Sequence, residues 1–465
     1  MDLKSKLARL QSVGPLPARD AVTRDVPTAR APTDGLPTRG TPAGESDSAP
    51  SESSGPFDDD ARRARVQALR ARLTEFASRP TLPRREAPVS VAARAQVAVP
   101  GETKETPHGV VHLCEVPYDR AHRHGRDALA ACLDVTPREL ALLALDATLE
   151  SVPDISPSRL LFFDLETTGL AGGTGTLAFL VGLGFFVDGA FKVEQLFLRQ
   201  PGEEGPILRY VAERMAAATC LVSFNGKSFD WPLLRSRAVL NRVRLPEGLP
   251  HVDLLHCARR VFKFRMQQMR LGELEREVLG LAREGDIDGA EIPAGYFAYL
   301  RRGDGSMLPR IFEHNAHDLA ALAAVLGHLA HGIRAAHTGG DARDWLGYAH
   351  VAARAGDAAR ALGFAHAAAT DKHGRTSSSA LTLAGDLCLR AHEITRAAEL
   401  YEQALGEALG REHEAAALHL KLAKLYEHRH KDLERALVHA RDTGPVEGEG
   451  ACAHRVARLT RRLSS

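Results

Sequence analysis

Residues 160–170 read LLFFDLETTGL, and this stretch decides the fold. Its first four residues form a short, continuously apolar run, which is typical of a strand buried on both faces of a sheet. Alternate side chains of an extended strand share a face, so Asp164 and Glu166 project together from the strand end. Two such carboxylates repel each other and are costly to bury unless a cation compensates them. The alternative is that both simply reach solvent, as a lone pair of this kind often does.

The sequence around this strand predicts a mixed sheet. Apolar segments at 177–187 and 190–198 are joined by Asp188-Gly189, a strong signal for a hairpin turn. Further elements are expected along the chain: a strand over 220–224, and helices over 203–218, after Asp230 and from about Asp318 onward. Three antiparallel strands followed by alternating helices and strands indicate an α/β sheet flanked by helices.

Composition divides the chain into four predicted parts: 1–104, 105–157, 158–335 and 341–465. The first is rich in Pro, Ala, Ser and Gly and is expected to be largely disordered, with short amphipathic helices. The second is a lead-in segment packed on the third, which is the α/β domain. The fourth is Ala- and Leu-rich and weakly self-similar, with Arg360, Arg396 and Arg435 at matching positions. It predicts an all-α, tetratricopeptide-like array of helical repeats, which typically offers a concave face to a protein partner.

The bulk numbers exclude several classes of protein. A formal net charge of +1 over 465 residues gives no global positive excess, so any nucleic-acid surface must be local. The six cysteines form no CxxC pair, so neither a zinc site nor a disulfide framework is indicated. No apolar run is long enough for a signal peptide or a membrane span. We therefore expect no membrane association and a reducing, cytoplasmic setting.

Two further acidic contexts follow the strand. In SFNGKSFDWPLL (223–234), we expect Asn225 to fasten the turn through its side chain and Phe229 to anchor it in the core, with Asp230 facing outward. The alternative is that Asp230 only caps the following helix. In EHNAHDLAAL (313–322), His314 and Asp318 are four apart and so lie one turn apart on one helical face. Asp318 is expected near the start of this helix, where His314 has the reach and pKa range to accept a proton from an attacking water.

Together the three contexts resemble the exonuclease motifs of the DEDD (DnaQ-like) superfamily, whose proofreading domains have a ribonuclease-H-like fold. The strings D-x-E-T-T-G-L, N-x3-F-D and N-x-x-D all match. The bacterial YprB-type branch, a ribonuclease-H-like domain followed by tetratricopeptide repeats, is closer still, through GLAGGTGTLAFLVG (169–182) and HVDLLHCARR (251–260). The resemblance implies hydrolysis of phosphodiester bonds from a 3′ end, with two Mg²⁺ or Mn²⁺ ions. It implies four metal ligands: Asp164, Glu166, Asp230 and Asp318.

Four carboxylates are enough to hold two hard cations roughly 3.5–4 Å apart. In the superfamily, the base is a His five residues before the last Asp or a Tyr four before it. Here His314 stands at the tyrosine-type spacing, so we take His314 as the catalytic base and His317 as the fallback. Asp253 matches a recurrent acidic position outside the four ligands, and we expect it to support the structure around the site.

Local positive charge indicates where a nucleic acid would bind. Nine basic residues between 235 and 270, interleaved with Phe262 and Phe264, could hold a phosphate backbone and stack bases. The alternative is a solvated helical face whose phenylalanines belong to the core. The glycine-rich segment 171–176 either lets a backbone approach a phosphate or is a structural turn. The substrate-binding candidates are Thr167, Gly169, Asn225, Phe229, Arg259, Arg260 and Arg270.

Two other functions remain open from the sequence. The first is a non-catalytic scaffold that grips nucleic acid and binds proteins through its repeats. Retention of all four carboxylates argues against it, because a degenerate site has no need of so many costly charges. The second is an endonuclease on the same fold. The sequence does not distinguish DNA from RNA as the substrate.

Overall fold

The computed structural model describes residues 99–152, 155–169, 175–334, 340–370 and 374–465. The predicted disorder and short helices of the N-terminal region, before residue 99, lie outside the described residues. So do residues 170–174, which include most of the glycine-rich segment.

A seven-stranded mixed sheet forms the centre of the α/β region, with strand order β1-β2-β7-β6-β5-β8-β9. Strands β5, β8 and β9 run parallel, and the other neighbours in the sheet are antiparallel. Two short strands, β3 and β4, form a separate hairpin. The strands are β1 Glu102–Thr106, β2 Gly109–Tyr118, β3 Arg123–His124, β4 Asp127–Ala128, β5 Leu160–Thr167, β6 Ala178–Val187, β7 Ala190–Phe197, β8 Cys220–Ser223 and β9 His251–Asp253. The lead-in segment thus supplies β2 to the main sheet, and β1 crosses the boundary predicted between residues 104 and 105.

The apolar run is the central strand, as predicted, and its alternate side chains enter two different cores. Phe162 faces one core and Phe163 the other, and both are buried. The predicted hairpin also forms, between β6 and β7. Its turn residues Asp188 and Gly189 have φ values of 50° and 80°, which Gly adopts readily and Asp tolerates.

Helices cover both faces of the sheet. Their bounds are α1 Pro137–Ala144, α2 Thr148–Ser151, α3 Glu204–Ala217, α4 Asp230–Leu240, α5 Leu254–Phe262, α6 Leu271–Leu274, α7 Ile292–Arg302 and α8 Leu308–Arg334. Helix α6 continues as a π-helical turn at Glu275–Leu279, and short 3₁₀ segments lie at Leu129–Asp134, Pro157–Arg159 and Pro201–Glu203. Helices α1 and α5 pack on one face, and α3, α4 and α7 pack on the other. Helix α8 contributes to both cores: its first turns lie in the second and the remainder in the first. The predicted fold class is confirmed.

Helix α8 begins ten residues before the position expected from the sequence. It starts at Leu308, so Asp318 lies within the helix and not at its beginning. The added turns form because Leu308, Ile311 and Phe312 continue the apolar face and are buried against the sheet. The prediction of a start near Asp318 was wrong because the polar residues at 313–315 mask that periodicity.

The C-terminal region is all-α. Its helices are α9 Ala342–Arg354, α10 Ala358–Ala369, α11 Gly374–Arg390, α12 Ile394–Glu407, α13 Glu412–Leu425, α14 Leu433–Ala440, α15 Gly444–Glu447 and α16 Glu449–Ser464, with a π-helical turn at Tyr426–His430. Two of the matching arginines, Arg360 and Arg435, lie in the first turn of a helix. Their backbone N–H groups donate to the N-cap carboxylates of Asp357 and Asp432, at 3.1 Å and 3.0 Å.

No helix in the described part of the chain is long and apolar enough to cross a membrane.

Candidate active site

The topology brings the first three acidic residues to one edge of the sheet. Strands β5 and β8 are parallel neighbours, with Phe162 paired to Val222, so their carboxyl ends meet. Asp164 and Glu166 lie at the end of β5, and Asp230 begins α4 just after β8. Helix α8 packs across this edge and carries the fourth carboxylate, Asp318.

A polar row crosses three strands and fixes Asp164. Asp164 pairs with Gly182 on β6, which pairs with Gln195 on β7. Because Gly182 has no side chain, Asn315 of α8 lies over it, and a Cβ at Gly182 would overlap the Asn315 Oδ1. Asn315 Nδ2 donates to Asp164 Oδ2 at 2.9 Å, and Gln195 Nε2 donates to Asn315 Oδ1 at 2.9 Å and to the Phe312 carbonyl at 2.7 Å. This chain of hydrogen bonds orients the carboxylate from behind.

The turn that carries Asp230 is fastened by Asp253, and not by the side chain of Asn225 as expected. Asp253 is buried, and its carboxylate accepts backbone N–H groups from Asn225 at 2.8 Å, Lys227 at 3.2 Å and Leu255 at 3.1 Å. Asn225 contributes a left-handed backbone, with φ of 63°, which Asn tolerates better than most residues. The expected supporting role of Asp253 is therefore what the geometry shows.

The expectation that Phe229 anchors this turn in the core, with Asp230 outward, was wrong. Phe229 is 54% exposed, whereas Asp230 is partly buried. The reason is the tight turn before α4, in which Gly226 lies against Ser223 and a Cβ there would be 3.1 Å from Asp230 Oδ2. That packing turns the carboxylate toward the sheet edge and leaves the phenyl ring in solvent.

Asp318 and His314 share a cluster with two residues that the sequence analysis did not identify, Arg283 and Asp286. Arg283 Nη2 lies 2.6 Å from Asp318 Oδ1, and His314 Nε2 lies 3.7 Å from Asp318 Oδ2. The other ring nitrogen of His314, Nδ1, is 2.8 Å from Asp286 Oδ1. His317 is half-buried, and its ring lies 6.4 Å from that of His124. His314 is thus the histidine directed toward a candidate ligand.

Burial disfavours the ionised form of all four carboxylates, and repulsion within the cluster adds to this effect at Asp164 and Glu166. Burial raises the pKa of Asp164 well above its usual range, and the charges of Asp318 and Asp230 raise it further. Burial raises the pKa of Glu166 well above its usual range, and the charge of Asp164 raises it further. Burial, with the charge of Asp253, raises the pKa of Asp230 to about 7. Burial also raises the pKa of Asp318, although Arg283 and then His314 oppose the shift.

The donor chemistry of this cluster fits a hard divalent cation. Carboxylate oxygens are the ligands such cations take, and a cation would offset the burial that raises all four pKa values and the repulsion that adds to it at Asp164 and Glu166. The arrangement is not a closed metal centre: within the described residues, no three His, Cys, Asp or Glu side chains surround one point closely enough to hold an ion. Instead, the guanidinium of Arg283 lies on Asp318.

The basic stretch between 235 and 270 divides into structural and exposed members. Arg259 and Arg270 are exposed, but Arg260 Nη1 donates to the Leu143 carbonyl at 3.0 Å and serves the packing of α5 on α1. Phe262 is 1% exposed and belongs to the core, so the expectation of base stacking there was wrong. Phe264 is 37% exposed and stacks on His350. The alternative, in which the phenylalanines belong to the core, therefore holds for Phe262 and not for Phe264.

Near the site, Thr167 is the last residue of β5, and Gly169 lies two residues beyond it. The register between β5 and β6 shifts after Glu166, and Thr167 Oγ1 donates to the Gly169 carbonyl at 3.2 Å. This irregularity ends the strand just past the second carboxylate.

A cleft of about 940 Å³ opens beside α4. Its wall includes Trp231, the residue after Asp230, together with Arg235 and Arg244. Both arginines are exposed, and neither forms an ion pair with the residues that the structure describes. His251 also lines the cleft and hydrogen-bonds to Ser223 through Nε2 at 2.7 Å. An aromatic ring and two free cations are the groups that bind a base and its phosphates.

Sequence reasoning missed five residues around the site, and only some left a signal. Gln195 is a polar residue within an apolar segment, which points to a buried hydrogen-bonded role, and Asn315 is the first residue of the N-x-x-D string. Trp231 follows the motif directly. Arg283 and Asp286 lie in a charged segment, 282–288, that carries no periodic or motif signal, so only the fold places them near Asp318.

Comparison with known proteins agrees with this architecture. Residues 161–330 match the RNase_H_2 model of the RNase_H superfamily. The chain is 30% identical over 367 residues to the uncharacterized protein YprB of Bacillus subtilis (strain 168), a match that covers 76% of this chain and 86% of YprB. RNase H-like proteins are usually phosphodiester hydrolases and generally use divalent metals. The chain therefore belongs to the family of YprB, and residues 161–330 are its RNase H superfamily domain.

Proposed function

We propose that the protein is a metal-dependent 3′–5′ exonuclease of the DEDD type. The observation that carries the proposal is the convergence of Asp164, Glu166, Asp230 and Asp318 at one sheet edge, where the charges of Asp318 and Asp230 raise the pKa values of both Asp164 and Glu166. A cluster of carboxylates that cannot comfortably ionise together is what a pair of divalent cations stabilises. We assign these four residues as ligands for two Mg²⁺ or Mn²⁺ ions.

The cations would supply Lewis-acid activation of the scissile phosphate. His314 is the base in this proposal: its Nδ1 is held by Asp286, so its Nε2 faces Asp318 and is free to take a proton from the attacking water. Asn315 keeps Asp164 in place through the transfer. His317 lacks a contact with the four carboxylates among the described residues, which supports the choice of His314.

The nucleic-acid substrate would be bound next to this edge. In our proposal, Trp231 stacks on a base while Arg235 and Arg244 hold phosphates. The exposed ring of Phe229 is placed to make a second stacking contact. The C-terminal helical pairs are assigned as tetratricopeptide-like repeats that bind a protein partner.

The activity is tested with single-stranded DNA and RNA oligonucleotides labelled at the 5′ end, with Mg²⁺ or Mn²⁺. We expect stepwise shortening from the 3′ end that requires the cation and is abolished in D164A and D230A. Full activity in both variants contradicts the proposal. A circular substrate distinguishes the endonuclease, which alone would open it.

Binding is tested separately by tryptophan fluorescence. The chain has two tryptophans, Trp231 and Trp345, so W345F leaves Trp231 as the reporter. In the background of D164A, a short oligonucleotide is expected to quench Trp231, and R235Q/R244Q to weaken its binding. Unchanged fluorescence at oligonucleotide concentrations that saturate binding would exclude stacking on Trp231.

A further inference from the structure

Arg283 places a buried positive charge against the candidate site. Its side chain is 10% exposed and lies among three carboxylates. Its Nη2 is 2.6 Å from Asp318 Oδ1 and 2.7 Å from Glu275 Oε2, and its Nη1 donates to Asp286 Oδ2 at 3.1 Å. The Nη2 contacts are ion pairs by distance without hydrogen-bond alignment, and Nε has no hydrogen-bond partner among the described residues. The guanidinium is therefore held mainly by charge.

A buried carboxylate, Glu275, also holds Arg283 in place. Glu275, in the π-helical turn after α6, is fully buried and is also bound by His124 Nε2 at 2.6 Å. A buried carboxylate of this kind is stable only beside a cation or several donors. Glu275 thus keeps Arg283 in the wall of the site, where its charge reaches Asp318.

We propose that Arg283 is a positioning residue that acts as the internal counter-ion of Asp318. It holds this carboxylate when no divalent cation is bound, and a cation has to compete with the guanidinium to bind there. The inference rests on the proposed function, in which Asp318 is a cation ligand.

Two consequences follow from this arrangement. The cation-free protein is stabilised by the pair between Arg283 and Asp318, so folding does not depend on a metal. The affinity for the cation is lower than the carboxylates alone would give, because part of the binding free energy is spent on displacing Arg283. A residue with a purely structural role would stabilise the fold and leave cation affinity unchanged.

The ion pair is tested without any cation. R283Q alone would leave Glu275 buried beside an uncharged residue and could fail to fold, so the cycle is built in E275Q, in which the glutamine still hydrogen-bonds to His124. Thermal unfolding in EDTA compares E275Q with its R283Q, D318N and R283Q/D318N derivatives. We expect the loss of Arg283 to be more costly with Asp318 present than in D318N. If the effects of R283Q and D318N on stability are additive, the two side chains do not interact and the inference is overturned.

Competition is tested by Mn²⁺ binding, followed by electron paramagnetic resonance or calorimetry. E275Q/R283Q removes one negative and one positive charge, so the net charge equals that of the natural protein. We expect its Mn²⁺ dissociation constant to be lower by on the order of tenfold, which is about 1.4 kcal/mol, while E275Q alone does not tighten binding. An unchanged or higher constant in E275Q/R283Q would overturn the inference.

The two proposals fail in distinguishable ways. If the natural protein binds Mn²⁺ in competition with Arg283 but cleaves no nucleic acid, only the nuclease proposal is wrong. If it cleaves nucleic acid and E275Q/R283Q binds Mn²⁺ no more tightly, only the counter-ion role is wrong.

Discussion

The environment of the candidate site disfavours the ionised forms of its acidic side chains. Asp164, Glu166 and Asp230 are carboxylates whose pKa values are raised, first by burial and then by neighbouring negative charges. A fold keeps such groups when a ligand compensates them, since raised pKa values concentrate at functional positions. The hydrogen bond from Asn315 favours the ionised form of Asp164, and the ion pair with Arg283 favours the ionised form of Asp318.

Asp230 should make the cation-free protein less stable as pH rises. Its folded-state pKa is about 7, against 3.8 for the unfolded chain. Below the unfolded value both states are protonated, and between these pKa values the unfolded state ionises more readily, so stability falls. In EDTA, D230N should therefore gain stability over the natural protein as pH rises from 4 to 7, by about 2 kcal/mol. Thermal unfolding of both proteins between pH 4 and pH 7 measures this difference in stability. A difference that does not change with pH contradicts the assignment.

His314 should be far more important for turnover than His317. Because only His314 approaches Asp318, H314Q is expected to lower kcat by roughly 10²–10⁴-fold at saturating cation. H317Q should change it by a few-fold at most. D286A, which removes the carboxylate that orients His314, should give an intermediate loss. Oligonucleotide cleavage rates measure this, and a large loss confined to H317Q would reverse the two roles.

Strand β5 and helix α8 position these side chains through one close approach. The helix lies on the sheet where Gly182 leaves a gap, and this lets Asn315 reach Asp164. Hydrogen bonds from Gln195 to Asn315 and to the Phe312 carbonyl keep the helix in register with the strands.

G182A is expected to disturb this contact. Its Cβ would overlap the Asn315 Oδ1 and lie 2.7 Å from Leu319 Cδ1, so α8 has to shift. Overpacking of this kind costs about 1–3 kcal/mol, and cleavage should fall because Asp164 loses its donor. Chemical denaturation and cleavage rates measure the two effects. G202A is the matched control, because a Cβ at Gly202 meets nothing within 4 Å. Equal stability and activity in both variants would contradict the role of the gap.

The elements with periodic hydrophobic patterns were predictable from the sequence. The three acidic sequence contexts were also recognisable there. The apolar run of β5, the Asp188-Gly189 turn and the three acidic contexts rest on local patterns. The early start of α8 and the exposure of Phe229 were not predictable, because both depend on packing partners distant in sequence. Arg283 belongs to the same class: its segment shows no pattern, and only the fold brings it to Asp318.

Across the whole molecule, the α/β region and the first C-terminal helices share a continuous core. Helix α9 packs on α5, where Gly347 lies against the Val261 carbonyl. Arg265 and Asp344 form an ion pair of 3.2 Å across the same boundary. The helical region therefore covers an apolar surface of the RNase H-like domain in addition to any partner-binding role.

This shared core predicts cooperative unfolding. Calorimetry should show one transition for the two regions, and G347A should lower its midpoint, at a cost of about 1–3 kcal/mol. G406A is the control, because a Cβ at Gly406 meets nothing within 4 Å and the change favours the helix. Two separate transitions, with only one shifted by G347A, would show that the regions unfold independently.

The central claim is that Asp164, Glu166, Asp230 and Asp318 together hold divalent cations, and crystals grown with Mn²⁺ test it most directly. Anomalous scattering at the manganese edge should give peaks between these four carboxylates, with Asp318 drawn away from Arg283. Peaks confined to other surfaces, with the Arg283–Asp318 pair intact at saturating Mn²⁺, would contradict the account.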